Sequence, residues 1–201
     1  MLEKVLITIA SILLSSCSAL GTKPSCSPHA GNLLQDPGFS LEAAGSSSNS
    51  WRQSQHFGEK SFDTHIEDGV LTITKTGDQS WFSYRQSLDA AEFAGQQMIF
   101  SAEVKLDLQP PAIAHVFGEG GWLRVTARSN HRRILMSSPL EHVPHIGKTD
   151  WEKIQVSVVL PADTHRVDLS ILHQADGVMS VRNPFFGRAD ADACGAKVHA
   201  H

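Results

Sequence analysis

The chain has 201 residues, 41% of them hydrophobic and 19% charged, with a formal net charge of −4. That length suits one domain of ordinary size with tails, and that composition is globular rather than disordered. The mild acidity argues against the basic face of a nucleic-acid binder, so no nucleic-acid partner is expected.

Residues 5 to 14 read Val-Leu-Ile-Thr-Ile-Ala-Ser-Ile-Leu-Leu. A run of about ten apolar residues is half of what a spanning helix needs and has the length of a signal-peptide core. Leu14-Ser15-Ser16-Cys17 follows. An aliphatic residue, two small residues and a cysteine resemble the lipobox of bacterial lipoproteins. The resemblance implies a signal peptide over 1–16 and acyl chains on Cys17, with the membrane as a partner through that anchor. Several acyl chains anchor firmly where one is marginal. Ser18 is compatible with the outer membrane, so the expected address is the bacterial cell envelope. A plain secretory signal with an incidental cysteine is the competing reading.

With Cys17 acylated, Cys26 and Cys194 remain. In an oxidising compartment they form a candidate disulfide, which would close a loop of about 169 residues and be worth roughly 5 kcal/mol. Two unpaired thiols are the alternative. Residues 17–31 form the lipidated cysteine and a Ser/Pro/Gly tether, 32–190 the folded domain, and 191–201 a tail.

Within the domain the signal is period-two alternation. Val70–Thr74, Phe82–Leu88, Met98–Leu106, Trp122–Arg128, Ile154–Leu160 and Val167–Ile171 set apolar against polar residues. Such segments, with Gly, Pro and Asp between them, predict half-buried antiparallel strands of a sandwich. Residues 43–50 read as a flexible loop and 129–150 as a long one. Asp89, Glu92 and Gly95 mark one helical turn.

Asn32-Leu33-Leu34-Gln35-Asp36-Pro37-Gly38-Phe39 resembles the opening strand of jelly-roll carbohydrate-binding modules of the galactose-binding-like fold. Gln86-Ser87-Leu88, Gly95-Gln96 and Phe100-Ser101-Ala102-Glu103-Val104-Lys105 continue the resemblance. So do Trp151-Glu152-Lys153, Val167-Asp168-Leu169 and Gly177 to Phe186. The resemblance covers about residues 32–187. It implies an all-β jelly-roll sandwich of two antiparallel sheets, with at most one or two short helical turns and the first and last strands side by side. It also implies noncatalytic glycan binding.

The chain departs from the family where members often hold a structural calcium: Ser40 and Arg182 stand at those places. Arginine offers no oxygen ligand, so no cofactor is expected. Asp36, Glu42 and Asn183 are what a shifted calcium site would have to use. Arg182 is expected to supply positive charge in the ion's stead.

Sugars need aromatic planes for their C–H faces and planar polar groups for their hydroxyls. Trp122, Arg124 and Arg128 share one face of their strand, and Glu103 stands on a comparable polar face. Trp81 and Tyr84 could border them. These six are the candidate ligand contacts, and the two arginines suit an acidic glycan. The competing reading is a solvated face with Arg–Glu and Arg–Asp cross-strand pairs. Trp51 and Trp151 are expected to be core or sheet-edge anchors. Neither a Gly-x-Ser-x-Gly element nor a His-Glu-x-x-His motif occurs, and nothing in the spacing singles out Glu103 and Asp168 as a catalytic carboxylate pair, so no catalysis is expected. An envelope-protein interaction role on the same scaffold is the alternative to glycan binding.

Overall fold

The computed structural model describes residues 31–43, 50–111, 119–139 and 145–189. The acylation candidate Cys17 and the disulfide candidates Cys26 and Cys194 lie outside the described residues, as do the signal segment and the tail.

The alternating segments become strands of two antiparallel sheets. The first has five strands in the order β1 (Arg52–Gln55), β4 (Phe82–Asp89), β10 (Arg166–Gln174), β6 (Gly120–Arg128) and β7 (Ile134–Ser138). The second runs β2 (Phe62–Glu67), β3 (Val70–Lys75), β11 (Asp176–Arg188), β5 (Gln97–Gln109) and β8 (Gly147–Lys148), with β9 (Glu152–Val159) also paired to β5. In chain order only β2–β3, β6–β7 and β8–β9 stay within one sheet, and every other connection between successive strands crosses to the opposite sheet. The fold is a jelly-roll β-sandwich. Among the described residues its helical content is short: α1 (Ser40–Ala43) and one 3-10 turn (Ala91–Phe93). That turn lies where Asp89 and Gly95 predicted it, with the Asp89 carboxylate accepting from Ala91 N.

Each strand buries its apolar set between the sheets. Leu123, Val125 and Ala127 of β6 face Met98, Phe100, Ala102, Val104, Leu106 and Leu108 of β5 across the core. Leu169 and Ile171 of β10 and Met179 and Val181 of β11 fill the middle. Phe39, Trp51 and Tyr84 close one end as an aromatic cluster, with Trp51 stacked on Tyr84 at 5.5 Å between centroids. Asp68-Gly69, both at positive φ, make the two-residue turn between β2 and β3.

Two expectations need correction. The Asn32–Phe39 segment is not a regular strand. Asp36 and Phe39 take positive φ and Pro37 lacks an N–H, so no ladder can run through them. The segment still lies beside the last strand: Leu33 N donates to Phe186 O, while the Asn32 amide bonds Pro184 O and Phe186 N. The buried Gln86 side chain also ties it down, bonding both Gln35 N and Gln35 O at 2.7 Å. The 129–150 region is not all loop, since β7 and β8 arise within it.

Candidate functional site

The outer face of the five-stranded sheet carries most of the predicted contacts. In β6 the residues between the core positions are Trp122, Arg124, Thr126 and Arg128. In β10 they include Arg166, Asp168 and Ser170, and in β4 they are Ser83, Arg85 and Ser87. Antiparallel register then sets the rows, because directly opposed residues point to the same side. Arg52 opposes Arg85, Arg85 opposes Ser170, and Ser170 opposes Arg124. A second row opposes Asp89 to Arg166 and Arg166 to Arg128. Between them lie Ser87, Asp168 and Thr126.

An open groove of about 560 Å³ lies along these rows, lined by Gln35, Arg52, Arg85, Arg128, Arg132 and Arg166, with Asp168 at its floor. Asp168 is nearly buried and serves as the hub. Its carboxylate accepts from Ser87 Oγ at 2.6 Å and Arg128 Nε at 2.6 Å, and Arg166 Nε stands 3.4 Å away. Burial works against its charge. The hydrogen bonds from Ser87 and Arg128, and the charges of Arg128 and Arg85, outweigh burial and hold the carboxyl below its ordinary value. Arg124 shows the reverse. Burial, and then repulsion from Arg85 and Arg128, push its guanidinium below the ordinary arginine value, with only Asp168 opposing. Its Nε is buried with no hydrogen-bond partner.

Trp122 and Trp81 stand at one end of this face. Trp122 precedes Arg124 by one side-chain step, and the Arg124 guanidinium carbon is 5.7 Å from its ring centroid. Its indole N–H donates to the Gln174 side chain. Trp81 leads into β4 and meets the His56 ring edge-on at 6.2 Å. Both indoles are half-buried.

Of the six candidates, the structure therefore gathers Trp81, Trp122, Arg124 and Arg128. It excludes Tyr84 and Glu103. Tyr84 is fully buried, because in β4 it alternates with Phe82, Gln86 and Leu88 and must point inward with them. Glu103 lies on β5, in the other sheet, where it accepts from Arg182 Nε at 2.7 Å and from the Asn183 amide. Glu103 and Asp168 thus stand on opposite sheets and cannot act across one cleft. Trp151 lies beneath the Arg182 guanidinium at 4.1 Å, and Trp51 is in the core.

Of the residues a shifted calcium site would use, Asp36 accepts through its carboxylate from Ser40 N, Ser40 Oγ and Leu41 N at the start of α1, and the Asn183 amide donates to Glu103. Arg182 neutralises Glu103 rather than that loop. Among the described residues no group of three His, Cys, Asp or Glu side chains is placed to hold a metal. Sequence reasoning placed Arg166 with Asp168 on this polar face but missed Arg52, Arg85 and Arg132 as groove residues. The signal for Arg85 was present, since Tyr84 and Arg85 occupy alternate positions and only one can face inward.

The chain is similar in structure to the enzymatically active domain of bacteriophage CBA120 tailspike protein 4. The TM-score is 0.59 at 11% identity, covering 81% of this chain and 22% of that one. At that identity the likeness speaks for the fold alone, and this chain spans about a fifth of that structure's length. Carbohydrate-binding modules are also among the similar structures. TmCBM61, solved with β-1,4-galactotriose, gives a TM-score of 0.47 at 13% identity, covering 78% of this chain and 98% of that one. A xylan-binding domain from CBM 22 gives 0.48 at 11%, covering 80% and 96%. No protein-family model and no curated protein matches the sequence.

Proposed function

We propose that the chain is a lipid-anchored protein of the bacterial cell envelope that binds glycan, without catalysis, on the outer face of its five-stranded sheet. The observation that carries the reading is the pairing of two half-buried indoles, Trp81 and Trp122, with a polar groove on one continuous sheet face. Indole planes suit the apolar faces of sugar rings, and the groove's guanidinium, amide and hydroxyl groups suit their edges. A rigid strand scaffold holds both sets, which favours binding without reordering. The lipobox-like Leu14–Cys17 supports the anchor, and Ser18 supports an outer-membrane address.

The test is a glycan array probed with the purified full chain and with Trp81→Ala and Trp122→Ala. Binding to a defined glycan, lost in at least one variant that melts like the parent, is the expected result. Absence of binding to every neutral and acidic glycan rejects the reading. Cys17→Ser is expected to abolish fatty-acid labelling and release the chain from the membrane fraction; retained labelling rejects the anchor.

A further inference from the structure

We infer that the groove takes an acidic polysaccharide, whose anionic groups seat on the Arg52, Arg85 and Arg124 row while its sugar faces rest against Trp81 and Trp122. This inference rests on the glycan-binding reading and names the class of glycan.

Charge placement carries the argument. The groove lining holds five arginines and one aspartate, a formal charge of +4, in a chain whose net charge is −4. Two of its cross-strand pairs are arginine directly opposite arginine: Arg52 with Arg85, and Arg166 with Arg128. A sheet surface that served only solubility would oppose unlike charges at such positions, because like charges there repel. The single acid at the floor is already occupied by Arg128, Arg166 and Ser87. Asp89, at the end of the second row, accepts from Ala91 N. Among the described residues, Arg52, Arg85, Arg124 and Arg132 have no carboxylate within ion-pair distance. Arg124 in addition carries the buried, unpartnered Nε. Among the described residues, this face therefore has cationic donors in excess of the carboxylates that meet them.

Geometry narrows the ligand. The row from Arg52 to Arg124 crosses four strands, about 14 Å at the usual strand spacing. A single small anion meets one or two guanidinium groups, whereas an extended chain with anions at intervals meets all three. Guanidinium pairs bidentately with the carboxylate of a uronic acid and with a sulfate ester alike, so the shared chemistry is an oxyanion borne on a sugar. Trp81 and Trp122 lie outside the groove lining but on the same sheet face, where they provide planes that an acidic peptide or a polyphosphate would leave unused.

The test is calorimetric titration of the purified full chain with five polymers. Polygalacturonate and its full methyl ester share a backbone and differ in charge, as do dextran sulfate and dextran. Polyglutamate supplies carboxylates without sugar. The expected result is binding to polygalacturonate, dextran sulfate or both, at least about tenfold tighter than to the matched neutral polymer and to polyglutamate, and weakening as salt rises. Which of the two anionic polymers binds identifies carboxylate or sulfate as the source. Arg85→Gln with Arg124→Gln is expected to weaken binding by about a hundredfold, one factor of ten for each guanidinium–oxyanion pairing removed. Removing two mutually repelling cations should leave the melting temperature unchanged or raise it. Arg52→Gln, at an exposed position, provides the same readout should the pair fold poorly. Equal binding of charged and neutral partners overturns the inference and leaves glycan binding intact. So does binding to some neutral glycan on the array with none to either anionic polymer. Polyglutamate binding as tightly as the polysaccharides overturns the sugar half. No binding to any glycan, on the array or in solution, overturns both readings.

Discussion

Asp168→Asn is the perturbation that tests whether the groove's electrostatics hold the sheet together. The substitution keeps the shape and the hydrogen bond with Ser87 but removes, among the described residues, the one carboxylate within ion-pair distance of Arg128 and Arg166. Breaking a fully buried pair by removing one partner costs about 3–5 kcal/mol. Here the Asp168 side chain is 7% exposed but Arg128 is 26% exposed, so water recovers part of the loss. The expected cost is about 2–3 kcal/mol, or a melting temperature lower by roughly 4–12 °C for a domain of this size. The pH dependence has a definite sign. The folded carboxyl titrates below 3.8, so its contribution is complete above that value and is lost as pH falls through the folded pKa. Parent and Asp168→Asn should therefore differ at pH 7 and converge in strong acid. Thermal unfolding followed by circular dichroism across pH 2–7 measures both. A variant that melts within a degree of the parent at pH 7, or a gap that widens in acid, refutes the argument.

Two further substitutions probe the core beneath this face. His173 is fully buried, edge-on to Phe62; burial, then the charge of Lys75, lowers its pKa to about 4, with Asp176 and the Gly177 backbone opposing. The unfolded chain then binds a proton that the folded chain resists between about 6.5 and 4, so stability should fall by about 3 kcal/mol as pH drops through that window. His173→Leu should flatten that slope in urea unfolding series, and an unchanged slope would assign it elsewhere. Tyr84→Ala should cost about 3–5 kcal/mol, because it opens a void beside Trp51 and Phe39. The affinity of its folded fraction for glycan should not change; a selective loss of binding at intact stability would return Tyr84 to the site.

The two-sheet architecture was legible because its code is local. Met98 to Leu106 and Trp122 to Arg128 alternate cleanly, and each strand buried the half that its apolar residues dictated. The same local rule carried more than was drawn from it. In Phe82–Leu88 the apolar set includes Tyr84, which sends Tyr84 to the core and Arg85 to the surface. Strand neighbours are a different kind of information. Glu103 and Arg124 both alternate with core residues, and nothing in either segment says that one belongs to the six-stranded sheet and the other to the five-stranded sheet. That follows from crossovers between sheets, which are set by the packing of the whole core. The opening segment was misread for a related reason. Its Asn32 and Gln86 partners do the bonding that a ladder would otherwise do, so a side-chain amide substitutes for strand regularity that Asp36 and Pro37 preclude.

The cationic groove is the clearest product of that non-local layer. Read along the chain, Arg52, Arg85 and Arg124 share no motif: they stand in Trp51-Arg52-Gln53, Tyr84-Arg85-Gln86 and Leu123-Arg124-Val125. Only the strand order β1-β4-β10-β6 sets them in one row. Arg166 and Arg128 become opposed by the same ordering, through the β10–β6 register. A one-residue slip in that register would send one strand's arginines toward the core, so apolar burial and charge clustering are enforced by the same pairing. The apolar face of β6 and β10 thus fixes where the charges stand on the other side. The repulsion among them is opposed by the burial of Leu123, Val125, Leu169 and Ile171, which a one-residue slip would turn out of the core. A fold stabilised from within can hold like charges together at its surface, and an anionic ligand gains from that arrangement without having to assemble it.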